Sequence, residues 1–252
     1  MGIWSNMRNI IDCKPTPTPP KKGIINMNHK YVYLFGTLLF FLYWFFLFIK
    51  LKEYRKRILF FSFLYGVIGV VFGYFYTADW WHPQNITGTR LGLEDFLLGF
   101  GNGGFAATVL LLFFEEKEGR RASGVKGFAA LLVLTGVVTS ALFSFFSLNS
   151  FYANCVGIVV SLIVIISYRL DLALYSFYGG TAMLLSSLPI YALIVYFFPG
   201  WVSETWMMEK LSGITFITIP IEDFIWYFLV GAIISIMCPF YKGTYYICKR
   251  IS

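Results

Sequence analysis

Apolar residues in this chain run in long blocks separated by short polar clusters. The blocks lie at roughly 31–49, 58–76, 93–114, 127–147, 151–168, 173–198 and 219–238. A helix needs about 20 such residues to cross a hydrocarbon core about 30 Å thick. The breaks are KLKEYRKR at 50–57, EEKEGRR at 115–121, RLD at 169–171 and PGW at 199–201. Leu148, Asn149 and Ser150 alone separate the fourth and fifth blocks. The pattern predicts an all-α integral membrane protein with about seven transmembrane helices. Residues 1–28 are polar, include PTPTPP at 15–20, and are expected to be extended or disordered. They lack the apolar core of a signal peptide, and Asn6 breaks the myristoylation pattern that Gly2 begins.

Composition agrees with this reading. Only 13% of the 252 residues are charged and 58% are hydrophobic, with a mean hydropathy of +0.70. A soluble domain carries about 25% charged residues, so this chain has too few to cover a wet surface. The net charge of +7 does not imply a nucleic-acid partner, because the basic residues sit in loops between spans. The loops at 50–57 and 115–126, Arg169 and the tail after 238 hold thirteen Lys and Arg residues on one face. The other face holds seven: Arg8, Lys14, Lys21, Lys22, Lys30, Arg90 and Lys210. Positive charge marks the cytoplasmic side, so the N-terminus is expected outside and the C-terminus inside. Cys13, Cys155, Cys238 and Cys248 form no C-x-x-C pair, and His29 and His82 are the only histidines. No metal site or disulfide framework is expected.

An internal repeat lies beneath the seven spans. GTRLGLEDFLLGFGNGG at 88–104 and SGITFITIPIEDFIWYFLVGA at 212–232 each carry Glu-Asp-Phe at the start of an apolar helix. Each follows a Trp-rich loop, ADWWHPQ at 78–84 or FPGWVSETW at 198–206. Glu94 and Glu222 are 128 residues apart with four spans in the interval, so the third and seventh helices run in the same direction. The organisation expected is a first repeat at 29–121, a connecting helix at 122–148, a second repeat at 149–241 and a cytoplasmic tail at 242–252.

The carboxylates of these repeats are the sharpest chemical feature. An ionised acid near the bilayer centre costs several kcal/mol, so acids within spans are paired, neutralised or functional. Glu94, Asp95, Glu222 and Asp223 are therefore the candidate catalytic residues, and the two helix starts are expected to meet around one cavity. Pro220 suits a helix start because it lacks the N–H that the first turn leaves unpaired. The apolar approach Ile214–Ile219 sets Glu222 deeper than Glu94, and Glu222 is expected to be the leading acid, with Glu94 second and the two aspartates in support. Trp226 lies one turn beyond Glu222, and Asn102 about two turns beyond Glu94, where a hydrogen bond between helices is expected. Asp79 ends the second span and could pair with the acidic cluster or with Arg90, while Trp80 and Trp81 read as interfacial anchors. Gly99, Gly101 and Gly104 match G-x-G-x-x-G, but no strand precedes them, and Gly99 and Gly103 suit close helix packing instead.

These residues carry a resemblance. Pro220-Ile221-Glu222-Asp223-Phe224-Ile225-Trp226-Tyr227 is similar to the P-[LI]-E-[ED]-x-x-[FW]-[FW] motif of the small membrane-embedded lycopene cyclase domain family, which is unrelated to the flavin-binding cyclases. Gly92-Leu93-Glu94-Asp95-Phe96 resembles the other copy without its proline, and Asp79-Trp80 stands inverted where the family has Trp-Asp. The resemblance covers most of 28–240. It implies acid–base isomerisation of a linear carotenoid end group inside the bilayer, without a cofactor. A neutral carboxylic acid would protonate a double bond and a carboxylate would remove the final proton. Trp226, Tyr227 and Phe96 are candidates to face the cation, with Asn102 and Asp79 as further substrate contacts. The implied partners are membrane lipid and a hydrophobic polyprenoid or carotenoid, with a homodimer as a further option. The alternative is a transporter or channel with acids along its pathway, although the acids stand on one side only. A prenyltransferase would need D-x-x-x-D clusters for Mg²⁺, and none is present.

Reporter fusions test the orientation. Fusions at Ser252 and within 79–90 should give opposite signals, with the 79–90 loop outside. A cytoplasmic 79–90 loop would reverse the assignment.

Overall fold

The computed structural model describes residues 29–249, and the expected disordered stretch at 1–28 lies outside them. The chain forms α1 (Val32–Lys50), α2 (Arg55–Asp79), α3 (Leu93–Ala106), α4 (Gly124–Phe146), α5 (Ser150–Tyr168), α6 (Ala173–Phe197), a short α7 (Trp201–Thr205) and α8 (Ile221–Lys242). Among the described residues, seven helical stretches are long and apolar enough to cross a membrane. In hydrocarbon no water satisfies the backbone, so each crossing segment closes its own hydrogen bonds as a helix. The protein is an all-α multi-pass membrane protein.

Two strands change the expected ends of this bundle. The third span was expected to be helical to residue 114, but α3 ends at Ala106 and continues as a 3-10 turn, Val109–Leu112. Phe114–Glu118 then forms β1, which pairs antiparallel with β4 (Thr244–Cys248) in the register Phe114↔Cys248 to Glu118↔Thr244. The region expected to be a tail from residue 242 is thus tied to the loop between the third and fourth spans. A smaller pair, β2 (Thr215–Phe216) and β3 (Ile219–Pro220), precedes α8. Hydropathy cannot reveal such strands, because FEEKE is charged and its partner is distant in sequence.

The two halves match in length. Helices α1 and α5 both have 19 residues, each is followed by a three-residue 3-10 turn, and α2 and α6 both have 25. The loops before α3 and α8 meet at a bridge between Trp81 and Trp206. The strands after them meet as β1 and β4. Helices α3 and α8 therefore run in the same direction and also pack on each other.

Small residues set the closest approaches. A Cβ placed on Gly99 or Gly103 of α3 would collide with the carbonyl oxygens of Tyr65 and Phe61 on α2. Gly179 of α6 and Gly231 of α8 likewise each lie against the other's carbonyl oxygen. Lipid tails are as apolar as leucine, so helices in a membrane associate through such contacts and through hydrogen bonds. At the end of the bundle that carries β1 and β4, Arg57 of α2 donates to Glu116 (2.6 Å) and to the Tyr246 hydroxyl (3.3 Å). Thr244 also donates to Glu116, and Arg169 donates to the Thr244 carbonyl at 2.7 Å and to Asp171. The Arg57 and Glu116 side chains are only 6% and 9% exposed, so each ion depends on the other.

The glycine contacts make a prediction about stability. Gly103→Val should force α2 and α3 apart and cost about 1–3 kcal/mol, the usual penalty of overpacking. Gly136 of α4 has open space around its Cα, so Gly136→Ala should be neutral or slightly stabilising. Thermal unfolding in detergent measures both, and equal midpoints for the two variants would refute the packing account.

Candidate active site

Each acidic pair stands in the first turn of its helix, where free N–H groups and the helix dipole favour carboxylates. Neighbouring helical residues point about 100° apart, and the two members of each pair part accordingly. Glu94 turns back to the preceding loop and accepts from the Ile86 N–H at 2.7 Å. Gly92 makes room for it, since a Cβ there would press on the Glu94 carboxylate and on Asn85. Glu222 does the same in the second half, accepting from the Ser212 N–H at 2.7 Å and the Tyr152 hydroxyl at 3.2 Å. Both glutamates are buried.

The aspartates turn inward. Asp95 accepts from the Tyr33 hydroxyl of α1 at 2.9 Å and from the Gly92 N–H at 2.7 Å. Asp223 accepts from the Tyr191 hydroxyl of α6, and the Trp206 indole N–H reaches its other oxygen at 3.4 Å. Each half thus holds its aspartate by a buried tyrosine, although Tyr33 and Tyr191 come from different helices of the two halves.

Both aspartates line one cavity of about 260 Å³ in the middle of the bundle. Its walls are mostly apolar and aromatic. Trp80, Trp81 and Tyr33 stand with the aspartates at one end. Tyr76, Asn102, Trp226 and Tyr227 follow. Trp226 donates to the Tyr76 hydroxyl at 3.2 Å, and Tyr76 donates to Asn154 of α5 at 2.9 Å. The space runs along α8 as far as Met237, where the Tyr65 hydroxyl meets the Met237 sulfur at 3.0 Å. Fourteen residues separate Asp223 from Met237, about 21 Å of helix. Among the described residues, no three His, Cys, Asp or Glu side chains gather as metal ligands.

The cavity brings together Asp95, Asp223, Asn102, Trp226 and Tyr227 of the residues expected from sequence. Four others are elsewhere. Glu94 and Glu222 bind loop N–H groups and do not line it. Phe96 packs over Gly66 on α2 and against Phe63 and Phe100, away from the space. Asp79 pairs with neither the acids nor Arg90. It accepts from the Ser150 N–H at 3.0 Å and the Ser150 hydroxyl at 2.5 Å, capping α5. Arg90 instead lies over the Tyr74 ring and donates to Thr77. Sequence reasoning missed Tyr33, Tyr191 and Tyr76, which lie outside the repeated motif. Trp80, read as an interfacial anchor, is 2% exposed and sits in the cavity wall.

Comparison with known proteins adds the family. No curated protein and no solved structure matches the chain. A family model described as lycopene cyclase matches residues 30–114 and 149–241. The first segment holds α1 to α3 and the second holds α5 to nearly the end of α8, so each supplies one acidic helix start to the shared cavity. With most of its length matched in these two segments, the chain belongs to the lycopene cyclase family.

Proposed function

We propose that the chain cyclises one end group of a linear carotenoid or related polyprenoid by acid–base isomerisation, with Asp95 and Asp223 as its proton-transfer groups. The observation that carries this reading is the convergence of one aspartate from each half on a single elongated, aromatic-walled cavity within the membrane-spanning bundle. Hydrocarbon chemistry begun by a proton needs a protected acid, a base and a wall that tolerates a cation. Family membership supplies the substrate class.

The proposed steps balance as an isomerisation. A proton passes from a carboxylic acid to the terminal double bond, leaving a tertiary cation. The π electrons of a nearby double bond attack that cation, forming the ring bond and moving the charge into the ring. A carboxylate then removes a proton from an adjacent carbon, restoring a double bond. One proton enters and one leaves, so no oxidant or reductant is consumed. We assign the donor to Asp223, because the Trp206 contact at 3.4 Å leaves one of its oxygens weakly engaged and able to carry a proton toward the cavity. Asp95 accepts close hydrogen bonds on both oxygens, from Tyr33 and Gly92, which suits a proton acceptor. The faces of Trp226, Tyr227 and Trp80 would shelter the cation.

In this reading the glutamates act as positioning residues, not as acids. Glu94 and Glu222 fold the two loops onto the helix starts and so place Asp95, Asp223 and the Trp206 loop. The halves 29–121 and 149–241 would serve as two repeats joined by 122–148, with the aspartates toward the outer leaflet.

Expression in a lycopene-producing host, with pigment analysis of membranes containing equal amounts of protein, tests the assignment. Wild type should yield cyclic product. Asp223→Asn and Asp95→Asn should each lose about 10²–10⁴-fold in rate, as expected for removal of a general acid or base. Glu222→Gln keeps an oxygen acceptor for the Ser212 N–H and should stay within about tenfold of wild type, well short of that loss. Loss of activity in Glu222→Gln with retention in both aspartate variants would return the chemistry to the glutamates. Absence of any cyclic product from wild type would overturn the cyclase reading.

A further inference from the structure

Around the cavity, neighbouring helices pack against one another, and the weakest place is between α2 and α4. Helix α2 lies along α3, α3 along α1, α1 against α6, α6 along α8, α8 against α5 and α5 along α4. Helix α2 also meets α5 at the end that carries the acids, where Tyr76 donates to Asn154 and Ser150 to Asp79, and α4 packs on α5 and α8, but α2 and α4 form no comparable helix packing. They touch through aromatic rings near their ends. Phe60 and Phe61 meet Phe128 with ring centres 6.2 and 6.1 Å apart, and Phe75 meets Phe143 at 5.3 Å. From Phe128 to Phe143 is fifteen residues, about 22 Å of helix.

Between these two aromatic bridges the helices face the cavity itself. Leu64, Ile68 and Phe72 of α2 line it from one side, and Leu132 and Thr135 of α4 from the other. The outer flanks are apolar. Phe63, Val67 and Val71 on α2 and Val133 and Val137 on α4 are all more than half exposed. Helix α4 is the least covered of the seven spans among the described residues. A gap about 20 Å tall with apolar flanks, inside a hydrocarbon layer about 30 Å thick, opens onto lipid tails and not onto water.

We infer that the space between α2 and α4 is a lateral portal through which a polyprenoid dissolved in the bilayer reaches the aspartates. The substrate is a linear hydrocarbon that enters end first, its reacting end beside Asp95 and Asp223 and its remainder still among the lipid tails. This inference rests on the proposed function for the identity of the occupant. The portal itself follows from the helix packing. Ile68 of α2 and Leu132 of α4 line the cavity from its two flanks, where a larger side chain would narrow the passage.

Photolabelling tests the portal without relying on turnover. A bilayer-dissolved alkyl diazirine is activated in vesicles containing the full chain, and labelled residues are located by mass spectrometry. Ile233 of α8 is 4% exposed and lines the cavity, so label can reach it only from inside. Wild type should be labelled at Ile233 as well as at the lipid-facing Val133 and Leu185. In Ile68→Trp and in Leu132→Trp, Ile233 labelling should fall about fivefold or more because an indole fills the gap, while Leu185 labelling is unchanged and shows that the bundle is intact. The inference is overturned if Ile233 is unlabelled in wild type, or if both tryptophan variants label it as wild type does. Failure of Val133 to label, together with crosslinking between copies through that face, would also overturn it by showing a second chain over the gap. Pigment analysis of the same variants is read separately. An inactive wild type with this labelling pattern removes the cyclase reading and leaves the portal standing.

Discussion

Consecutive residues of an α-helix point about 100° apart, and the arrangement of this site depends on that angle. Two adjacent carboxylates at a helix start cannot serve one place. In each half the glutamate turns outward to hold the preceding loop, and the aspartate turns inward to the cavity. A buried acid is costly unless hydrogen-bonded; the aspartates meet that requirement on both oxygens, and each glutamate meets it on one, its Oε2 having no partner among the described residues. The glutamates take N–H groups of the loops, which secures those loops over the bundle. The aspartates take tyrosine hydroxyls from other helices, which secures the bundle around the cavity.

The cavity exists because packing is tight elsewhere. Glycines let α2 meet α3 and α6 meet α8 at backbone distance. Their partners in each pair share one wall, and bulky rings such as Tyr76, Trp80, Trp226 and Tyr227 prop the centre apart. At the far end the bundle is closed by charge. Arg57, Glu116, Arg169 and Asp171 are gathered with Thr244 and Tyr246, and the β1–β4 pair joins the ends of the two halves. One end of the molecule is thereby closed by a polar network, while the other holds the acids. A strongly apolar space between that network and a pair of acids suits a long hydrocarbon with one reactive end. The lateral portal inferred between α2 and α4 would spare such a molecule any passage through water.

The sequence by itself determined the helical membrane architecture, because burial of a backbone in hydrocarbon leaves so few options that apolar block length decides the fold. It also exposed the repeat, the acidic helix starts at 94–95 and 222–223, and the glycine spacing at 99 and 103. Which acid of each pair faces the cavity was decided only in three dimensions. Glu222 looked the more buried acid from its apolar approach, yet Ser212, ten residues earlier, folds back to bind it. Tyr33 and Tyr191 bear no motif and lie far from the aspartates they hold in the sequence, so nothing local could announce them. Trp80 has the sequence appearance of an anchor at the membrane surface, but packs against Tyr76, Phe151 and Trp226 in the cavity wall, with the Met207 N–H bonded to its carbonyl. The strand pair β1–β4 is likewise a contact between segments about 130 residues apart. Hydropathy is a property of consecutive residues, whereas the direction of a side chain and the partner of a buried acid are set by which helices pack together, and that is the part the tertiary structure alone decided.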